Sequence, residues 1–360
     1  MRILEVITLS ELGGAQSVVA NLANELASNP AYGSDNEIMV AAGCKDGKLW
    51  ENLAPTIQRM PIKHLVRRIT PLHDLLAILS LIRIYRKFKP DVIHLHSSKA
   101  GLLGRLAFPR QKIIYTVHGF DSIRVAYRKL LPIERIMQYF CRAIVAVSEY
   151  DYRNLKHEKI HRNLHTIYNG ISMKEDKPLH LNLPPHFTHT IVCIARMAKP
   201  KRLDIFLETA RLLPQYAFVW IGNQENIPVE MENVFFLGNI PQASRHCLYA
   251  DLFMLPSDFE GMPMVIIEAM SHHLPIVASN VGGISEIVKN GIDGFVVENT
   301  AQNFAEKIKQ ILSQENWMQE LGNNAYKIYQ EKLTAKDMAK KYYKLYMDIN
   351  QEKIKEYGRK

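Results

Sequence analysis

The chain has 360 residues, 47% apolar and 22% charged, the make-up of a globular sequence too long for one ordinary core and suited to two domains of roughly 150–200 residues. Its four cysteines, Cys44, Cys141, Cys193 and Cys247, form no CxxC pair or Cys/His cluster, which excludes a disulfide framework or structural zinc and fits a reducing compartment. The net charge of +9 is uneven: residues 1–175 hold about 25 Lys+Arg against about 15 Asp+Glu, leaving the rest near neutral.

The first segment, "RILEVITL", reads as a strand. It is followed by the loop "SELGGAQ" and the helix "SVVANLANELA". This start has no long apolar core and no small-residue cleavage site, so it does not read as a signal peptide. No run of about 18 apolar residues occurs anywhere, and a cytoplasmic protein is expected. Further strands are expected at "EIMVAAG", "DVIHLHS", "KIIYTVHG", "AIVAVS" and "LHTIYNG". The stretch 170–189, rich in Pro, His and polar residues, reads as a linker. A second series opens with strand "TIVCIARM" and helix "KRLDIFLETARLL". It continues with strands "AFVWIG" and "VFFLGN", helix "QASRHCLYA", strand "DLFMLPS", helix "PMVIIEAMSHH" and strands "PIVAS" and "GFVV". A long amphipathic helix starts near 335. Short apolar runs alternating with helices predict two doubly wound, Rossmann-like α/β domains with a cleft between them. The expected divisions are 1–172, 173–335 and a C-terminal helix, 336–360. Ligands of such sheets sit at the carboxyl ends of the strands.

Much of the basic excess lies in 59–68, 83–89 and 124–135, where Lys and Arg alternate with Leu, Ile, Val and Tyr. Two readings stay open: a surface that lies on an anionic bilayer, or solvated helix faces. Nucleic acid is the weaker partner, because no binding motif accompanies the charge and aliphatic side chains outnumber stacking ones.

Several loops after strands carry chemistry. Gly13 and Gly14 stand between strand and helix, where a backbone approaches a ligand closely and the helix start favours an anion. They do not form G-x-G-x-x-G. His118 emerges from one strand with Asp121 just beyond, and Ser97, Ser98 and Lys99 from its neighbour. Together they would make a polar pocket, though a lone strand-end histidine is often structural. Arg196 and Lys201 flank a strand-to-helix turn and suit a diphosphate. In "DFEGMPMVIIEAM", Pro263 fits the first helical turn and Gly261 leaves amides open. That puts Glu260 at the loop mouth and Glu268 inside the helix, mostly buried, where a carboxylate needs hydrogen-bond donors such as a vicinal diol.

These motifs, with "HLHSSKAGLLGRLA", "YTVHGF" and "GGISEIV…GIDGFVV", resemble the retaining glycosyltransferases of the GT-B fold in glycosyltransferase family 4. Within that family they resemble the bacterial capsule, lipopolysaccharide O-antigen or exopolysaccharide type. The resemblance covers most of the chain. It implies an acceptor-binding first domain, a nucleotide-sugar-binding second domain and a C-terminal helix crossing back to the first. It also implies that Arg196 and Lys201 bind the diphosphate, Glu268 the ribose hydroxyls, and Glu260 with Gly261, Met262 and Pro263 the donor sugar. Gly13 and Gly14 would pass close to the phosphates, and His118 would line the reaction centre. Ser97, Ser98, Lys99 and Asp121 are acceptor-side candidates. A covalent nucleophile at Glu260 is disfavoured.

The expected reaction moves a hexose or N-acetylhexosamine from a nucleotide-sugar, UDP-linked, to an undecaprenyl-diphosphate-linked sugar at the inner face of the membrane. The basic first domain would hold the enzyme there peripherally. No metal and no cofactor are expected. The competing readings are an isomerase like the UDP-N-acetylhexosamine 2-epimerases, which would convert a UDP-sugar without acceptor, and a non-catalytic sugar-nucleotide binder.

Overall fold

The structure, a computed structural model, describes residues 1–11, 13–33, 36–173, 181–223, 230–240 and 242–357, with side chains described as far as residue 350. Two compact units divide the chain. One is Met1–Ser172 with Thr334–Lys360, the other Met173–Leu333. Part of the expected linker, residues 174–180, lies outside the described residues.

The first unit runs β1 (Arg2–Leu9), α1 (Gly14–Ser28), β2 (Glu37–Gly43), β3 (Gln58–Pro61), α2 (Pro71–Phe88), β4 (Val92–His96) and α3 (Ser98–Ala107). It continues with β5 (Ile113–Val117), α4 (Leu131–Met137), β6 (Ala143–Ala146), α5 (Glu149–His157) and β7 (Leu164–Thr166). Its seven strands are all parallel in the order β3-β2-β1-β4-β5-β6-β7. Strand β3 was not expected. It is a short edge strand ending in proline, and its residues are mostly exposed, so it carries no apolar run.

Both sheet faces are covered, which is why the central strands are nearly continuous apolar runs. On one face Leu4, Val6, Ile93, Leu95 and Tyr115 pack under α2, α3, α4 and α5 through Leu81, Leu103, Leu131 and Leu155.

The second unit runs β8 (Thr190–Ile194), α6 (Leu203–Leu212), β9 (Ala217–Ile221), β10 (Val234–Phe236), β11 (Leu252–Leu255), α7 (Met264–Ser271) and β12 (Ile276–Ser279). It ends with α8 (Ile284–Ile287), β13 (Gly294–Val297), α9 (Ala301–Leu312) and α10 (Glu315–Lys332). Its sheet is β10-β9-β8-β11-β12-β13, again parallel. The expected helix over "QASRHCLYA" is a run of 3-10 turns, Ala243–Tyr249. Helices α9 and α10 stand beyond the elements expected from the sequence.

The last helix, α11 (Ala335–Tyr357), belongs to the first unit. It buries Met338, Ala339, Tyr342, Leu345, Tyr346 and Ile349, the helical spacing of one apolar face. It packs beside α1 on the sheet face opposite α2–α5, and Ile171 bridges Thr334 at its start.

Candidate functional site

In the second unit β8 and β11 are central neighbours, and strand order runs outward from them in both directions. This is the switch point where loops diverge and leave a crevice at the strand ends. The loops following these two strands are tied together. The Asp258 amide donates to the Pro200 carbonyl at 2.8 Å. Arg202 reaches Asp258 at 3.0 Å and Asp204 at 2.7 Å. Lys201 pairs with Glu260, whose carboxylate also accepts from the Ser257 hydroxyl at 2.8 Å. Ser257 is itself held by the end of β12: its amide donates to Ser279 Oγ at 2.8 Å.

Gly282 backs this loop. Its φ is +58°, and a Cβ there would stand 1.8 Å from the Glu260 carbonyl oxygen, so only glycine fits. The Gly283 amide donates to the Gly261 carbonyl at 2.8 Å. The loop 258–263 is therefore clamped from two sides, with Glu260 fixed by Lys201 and Ser257.

Two details differ from expectation. Pro263 is not inside the first turn of α7. It is the capping residue, with extended ψ of 120°, and supplies no side-chain cap. Helix α7 begins only at Met264, which leaves Gly261, Met262 and Pro263 all in the loop. Arg196 and Lys201 do lie on the connection from β8 to α6. Lys201 closes a 3-10 turn, and Arg202, at φ +42°, directly precedes α6. Lys201 and Glu260, expected to have separate roles, meet directly. Arg196, at the end of β8, is exposed and has no hydrogen bond or ion pair among the described residues.

Glu268 occupies the second turn of α7. It is partly accessible, yet so hemmed in by Ile266, Ile267, Ala269 and Met270 that burial alone pushes its carboxyl up to about 7. No hydrogen bond reaches that carboxyl among the described residues. The arrangement offers an unengaged cation at Arg196, a paired cation at Lys201, a helix start without a cap and an unsatisfied acceptor. A polyanion bearing hydroxyls would complement all four.

In the first unit the candidates behave differently. Ser97, at φ +68°, bonds Thr8 Oγ1 at 2.6 Å, Ser98 bonds Tyr115, and Lys99 pairs with Asp74 at 2.6 Å. Asp121 is buried, and its carboxylate accepts from Arg124 at 2.8 Å and from the Tyr150 hydroxyl at 2.9 Å. Each of these four side chains already has a partner within the first unit. Gly13 has φ −176°, extended backbone open to any residue, and a Cβ there would meet only the Gln16 side chain. Gly14 opens α1 without a side-chain cap.

His118 remains partly accessible just past β5. Its Nε2 lies 2.9 Å from His96 Nδ1, and His96 Nε2 lies 2.7 Å from Glu5 Oε2. Neither Glu5 nor His96 was singled out from the sequence. The signal was present: a lone glutamate inside the apolar strand "RILEVITL", and histidines spaced by two in "HLH", so on one sheet face. Register aligns Glu5 with His94. From α11, Tyr346 donates to Glu5 at 3.1 Å, and its hydroxyl lies 2.6 Å from His94 Nδ1. His94 Nε2 meets Thr116 at 2.7 Å, and Thr116 meets Tyr342 at 3.0 Å.

Burial opposes ionisation of Glu5, but the imidazoles of His94 and His96 outweigh it and hold its carboxyl down at about 2. Burial and His94 hold His96 down at about 4. Burial, with His96 and His94 nearby, keeps His118 well below the usual histidine range.

Comparison with known proteins gives a consistent picture. The family model described as Glycosyltransferase Family 4 matches residues 12–175, and that described as Glycosyl transferases group 1 matches 188–314. The chain is 28% identical over 298 residues to the Escherichia coli UDP-Gal:alpha-D-GlcNAc-diphosphoundecaprenol alpha-1,3-galactosyltransferase, covering 71% of this chain and 75% of that protein. It is 26% identical to the Staphylococcus aureus capsular polysaccharide biosynthesis glycosyltransferase CapM, over 82% of this chain and 86% of that one. In fold it is similar to sucrose-phosphate synthase from Thermosynechococcus elongatus, with a TM-score of 0.81 at 19% identity, covering 97% of this chain and 99% of that one.

Proposed function

The chain belongs to the family 4 glycosyltransferases of the GT-B fold, and on that premise we propose that it moves a sugar, with retained configuration, from a UDP-sugar to a lipid-linked sugar acceptor in bacterial surface-polysaccharide synthesis. The carrying observation is the clamped loop 258–263 together with the unsatisfied carboxyl of Glu268 and the unengaged Arg196. Glu268 would accept the two ribose hydroxyls, and Arg196 and Lys201 would hold the diphosphate. Glu260, with the backbone of Gly261, Met262 and Pro263, would hold the sugar, and the uncapped start of α7 would face the phosphates. The Lys201–Glu260 pair keeps both charges balanced until the diphosphate takes a share of the lysine. The lipid-linked acceptor and the UDP donor rest on the name of the Escherichia coli relative. The nature of the sugar stays with the hexoses and N-acetylhexosamines.

In the proposed reaction the C1–oxygen bond to the diphosphate breaks while C1 bonds the acceptor oxygen on the same face. The acceptor proton passes to the leaving diphosphate. The protein's share is positioning and stabilising the departing charge with fixed cations and amides. Arg196 and Lys201 supply positive charge that a metal would otherwise bring, so the reaction proceeds without one. His118 takes part in the reaction centre as a hydrogen-bonding group. Gly13 and Gly14 lie at the start of α1, where a phosphate would pass close to the backbone.

Among the described residues no helix is long and apolar enough to cross a membrane. The outer layer of the first unit suits peripheral contact instead. Among the described residues, eleven of the fifteen exposed large apolar side chains fall between Ile69 and Phe140, among them Leu72, Leu75 and Leu79 on α2 and Ile133 and Ile136 on α4. Exposed Arg67, Arg68, Arg83, Arg86, Arg128 and Lys129 accompany them. That combination suits an anionic lipid surface.

The test is a donor screen by UDP release, with a membrane extract supplying acceptor, followed by NMR of the product anomer. Release that needs the extract, survives EDTA and gives the donor's own anomeric configuration supports the reading. Conversion of a UDP-sugar with no acceptor, or an inverted product, overturns it.

A further inference from the structure

We propose that Glu5 and His96 are positioning residues for His118: they fix its ring as the Nε2-protonated tautomer and so present its Nδ1 lone pair as a hydrogen-bond acceptor for a hydroxyl of donor or acceptor sugar. The proposal rests on the reading that places His118 in the reaction centre. It follows from the direction of the hydrogen bonds. Glu5 is a carboxylate with two oxygens and no proton to give. His96 Nε2, 2.7 Å from Oε2, must therefore be the donor. A neutral imidazole protonated on Nε2 offers Nδ1 only as an acceptor. His118 Nε2, 2.9 Å from that Nδ1, must then carry its proton, and its own Nδ1 is left bare. No group among the described residues bonds that atom.

The relay is built to hold one state. Glu5, His94 and His96 are fully buried, and the His96 and His118 rings meet edge to edge, centroids 5.2 Å apart with 23° between planes. Glu5 accepts from His96 through Oε2 and from Tyr346 through Oε1, so turning the carboxyl would break two bonds. Low surrounding polarity makes each of these bonds costly to leave unmade. His118 thus faces substrate as a neutral acceptor, suited to receiving a hydroxyl proton in a hydrogen bond and unsuited to donating one. A donor sugar carrying a free hydroxyl where His118 meets it gains a bond, and its deoxy analogue does not.

One donor atom each from Glu5, His94 and His96 lies within 4.8 Å of the others, a set a divalent cation could also take. The hydrogen bonds already complement one another without an ion. An ion there would take His96 Nε2 and cut the relay.

The experiment uses the full chain labelled with nitrogen-15 at histidine. Long-range proton–nitrogen spectra report the tautomer of His118, assigned by loss of its signals in His118→Ala. The expected result is a neutral Nε2–H ring at pH 6–8. In Glu5→Gln, whose amide can donate to His96, the expected change is a mixed or inverted His118 tautomer. Turnover should fall about tenfold or more while UDP affinity, read by calorimetry, stays within twofold. Tyr342→Phe removes a buried hydroxyl that meets Thr116 at 3.0 Å and bonds neither Glu5, His96 nor His118, so it should leave tautomer and turnover near wild type.

An Nδ1–H ring in the wild type, an unchanged ring in Glu5→Gln, an equal loss in Tyr342→Phe, or stoichiometric bound metal overturns the relay. If the tautomers behave as stated but His118→Ala transfers sugar at the wild-type rate, the functional reading of His118 fails and the relay is only a packing device. Unchanged UDP affinity separates either result from misfolding.

Discussion

Each unit carries a glutamate inside largely apolar surroundings, and the two are kept in opposite states. Glu5, in β1, accepts from His96 and Tyr346 and stays ionised to about pH 2. Glu268, in α7, has no such partner among the described residues and is pushed up to about 7. A buried carboxylate with donors is complete in the empty protein; one without donors is stabilised only when something brings them. The contrast separates a group that orients another side chain from one that awaits a ligand. It predicts that variants of the second unit lose donor binding, whereas variants of the first lose turnover alone.

The largest effect should come from Arg196→Ala combined with Lys201→Ala. Removing preorganised charge from a leaving group costs about 10²–10³ in rate for a single donor, so the pair should lose at least that much and bind UDP-sugar poorly. Steady-state transfer and calorimetry read both quantities. Wild-type turnover in the double variant would put the diphosphate elsewhere.

Next is Glu268→Ala, which should weaken UDP-sugar binding about 10–100-fold, the loss of hydrogen bonds to a charged acceptor. The same group gives a pH signature. Only the ionised carboxylate accepts from both ribose hydroxyls, so affinity should rise as pH rises through about 7. In Glu268→Gln that rise should vanish. A flat wild-type profile between pH 6 and 8 would break the contrast with Glu5.

How much of this was legible in the sequence follows from the same contrast. The strand–loop–helix order and the E-x7-E spacing were readable because they depend on local pattern: an apolar run, a Gly-x-Pro turn, then a helix. Glu268 could be seen as unusual because its neighbours in sequence are its neighbours in space. Glu5 and His96 are 91 residues apart and meet only through the pairing of β1 with β4. Tyr346 arrives from the far end of the chain. Strand β3 hid because an exposed edge strand needs no apolar alternation. Ser97, Ser98, Lys99 and Asp121 had the right chemistry for an acceptor site. Their partners, Thr8, Tyr115, Asp74 and Arg124, were invisible without the fold.

The units also differ in surface, and a smaller effect tests that. Leu72→Glu with Leu75→Glu should lower sedimentation with anionic vesicles several-fold, since each leucine buried in lipid contributes roughly 1.5–3 kcal/mol and the new carboxylates repel the surface. Transfer to a water-soluble acceptor analogue should be unaffected. Vesicle binding indifferent to lipid charge in the wild type would leave the exposed apolar ridge of α2 without its proposed occupant.

The smallest effect, in thermal stability, runs in opposite directions in the two units. Glu5 titrates lower folded than unfolded, about 2 against 4.5. Its contribution is therefore full above pH 4.5 and lost as pH falls towards 2. Glu268 titrates higher folded than unfolded, about 7 against 4.5. Its folded form keeps a proton that the unfolded chain releases, so stability declines as pH rises from 4.5 to 7 and is flat beyond. Glu268→Gln should therefore melt above the wild type at pH 8 and with it at pH 4. Glu5→Gln should melt below it at pH 6, with the gap narrowing in acid. Each kcal/mol appears as about 2–4 °C in domains of this size, so the shifts are a few degrees. UDP-sugar should abolish the Glu268 difference by supplying the hydroxyl donors that the protein itself does not provide, and it should leave the Glu5 difference intact. A ligand that changed both equally would show that the two glutamates answer to the same site, and the division between them would fall.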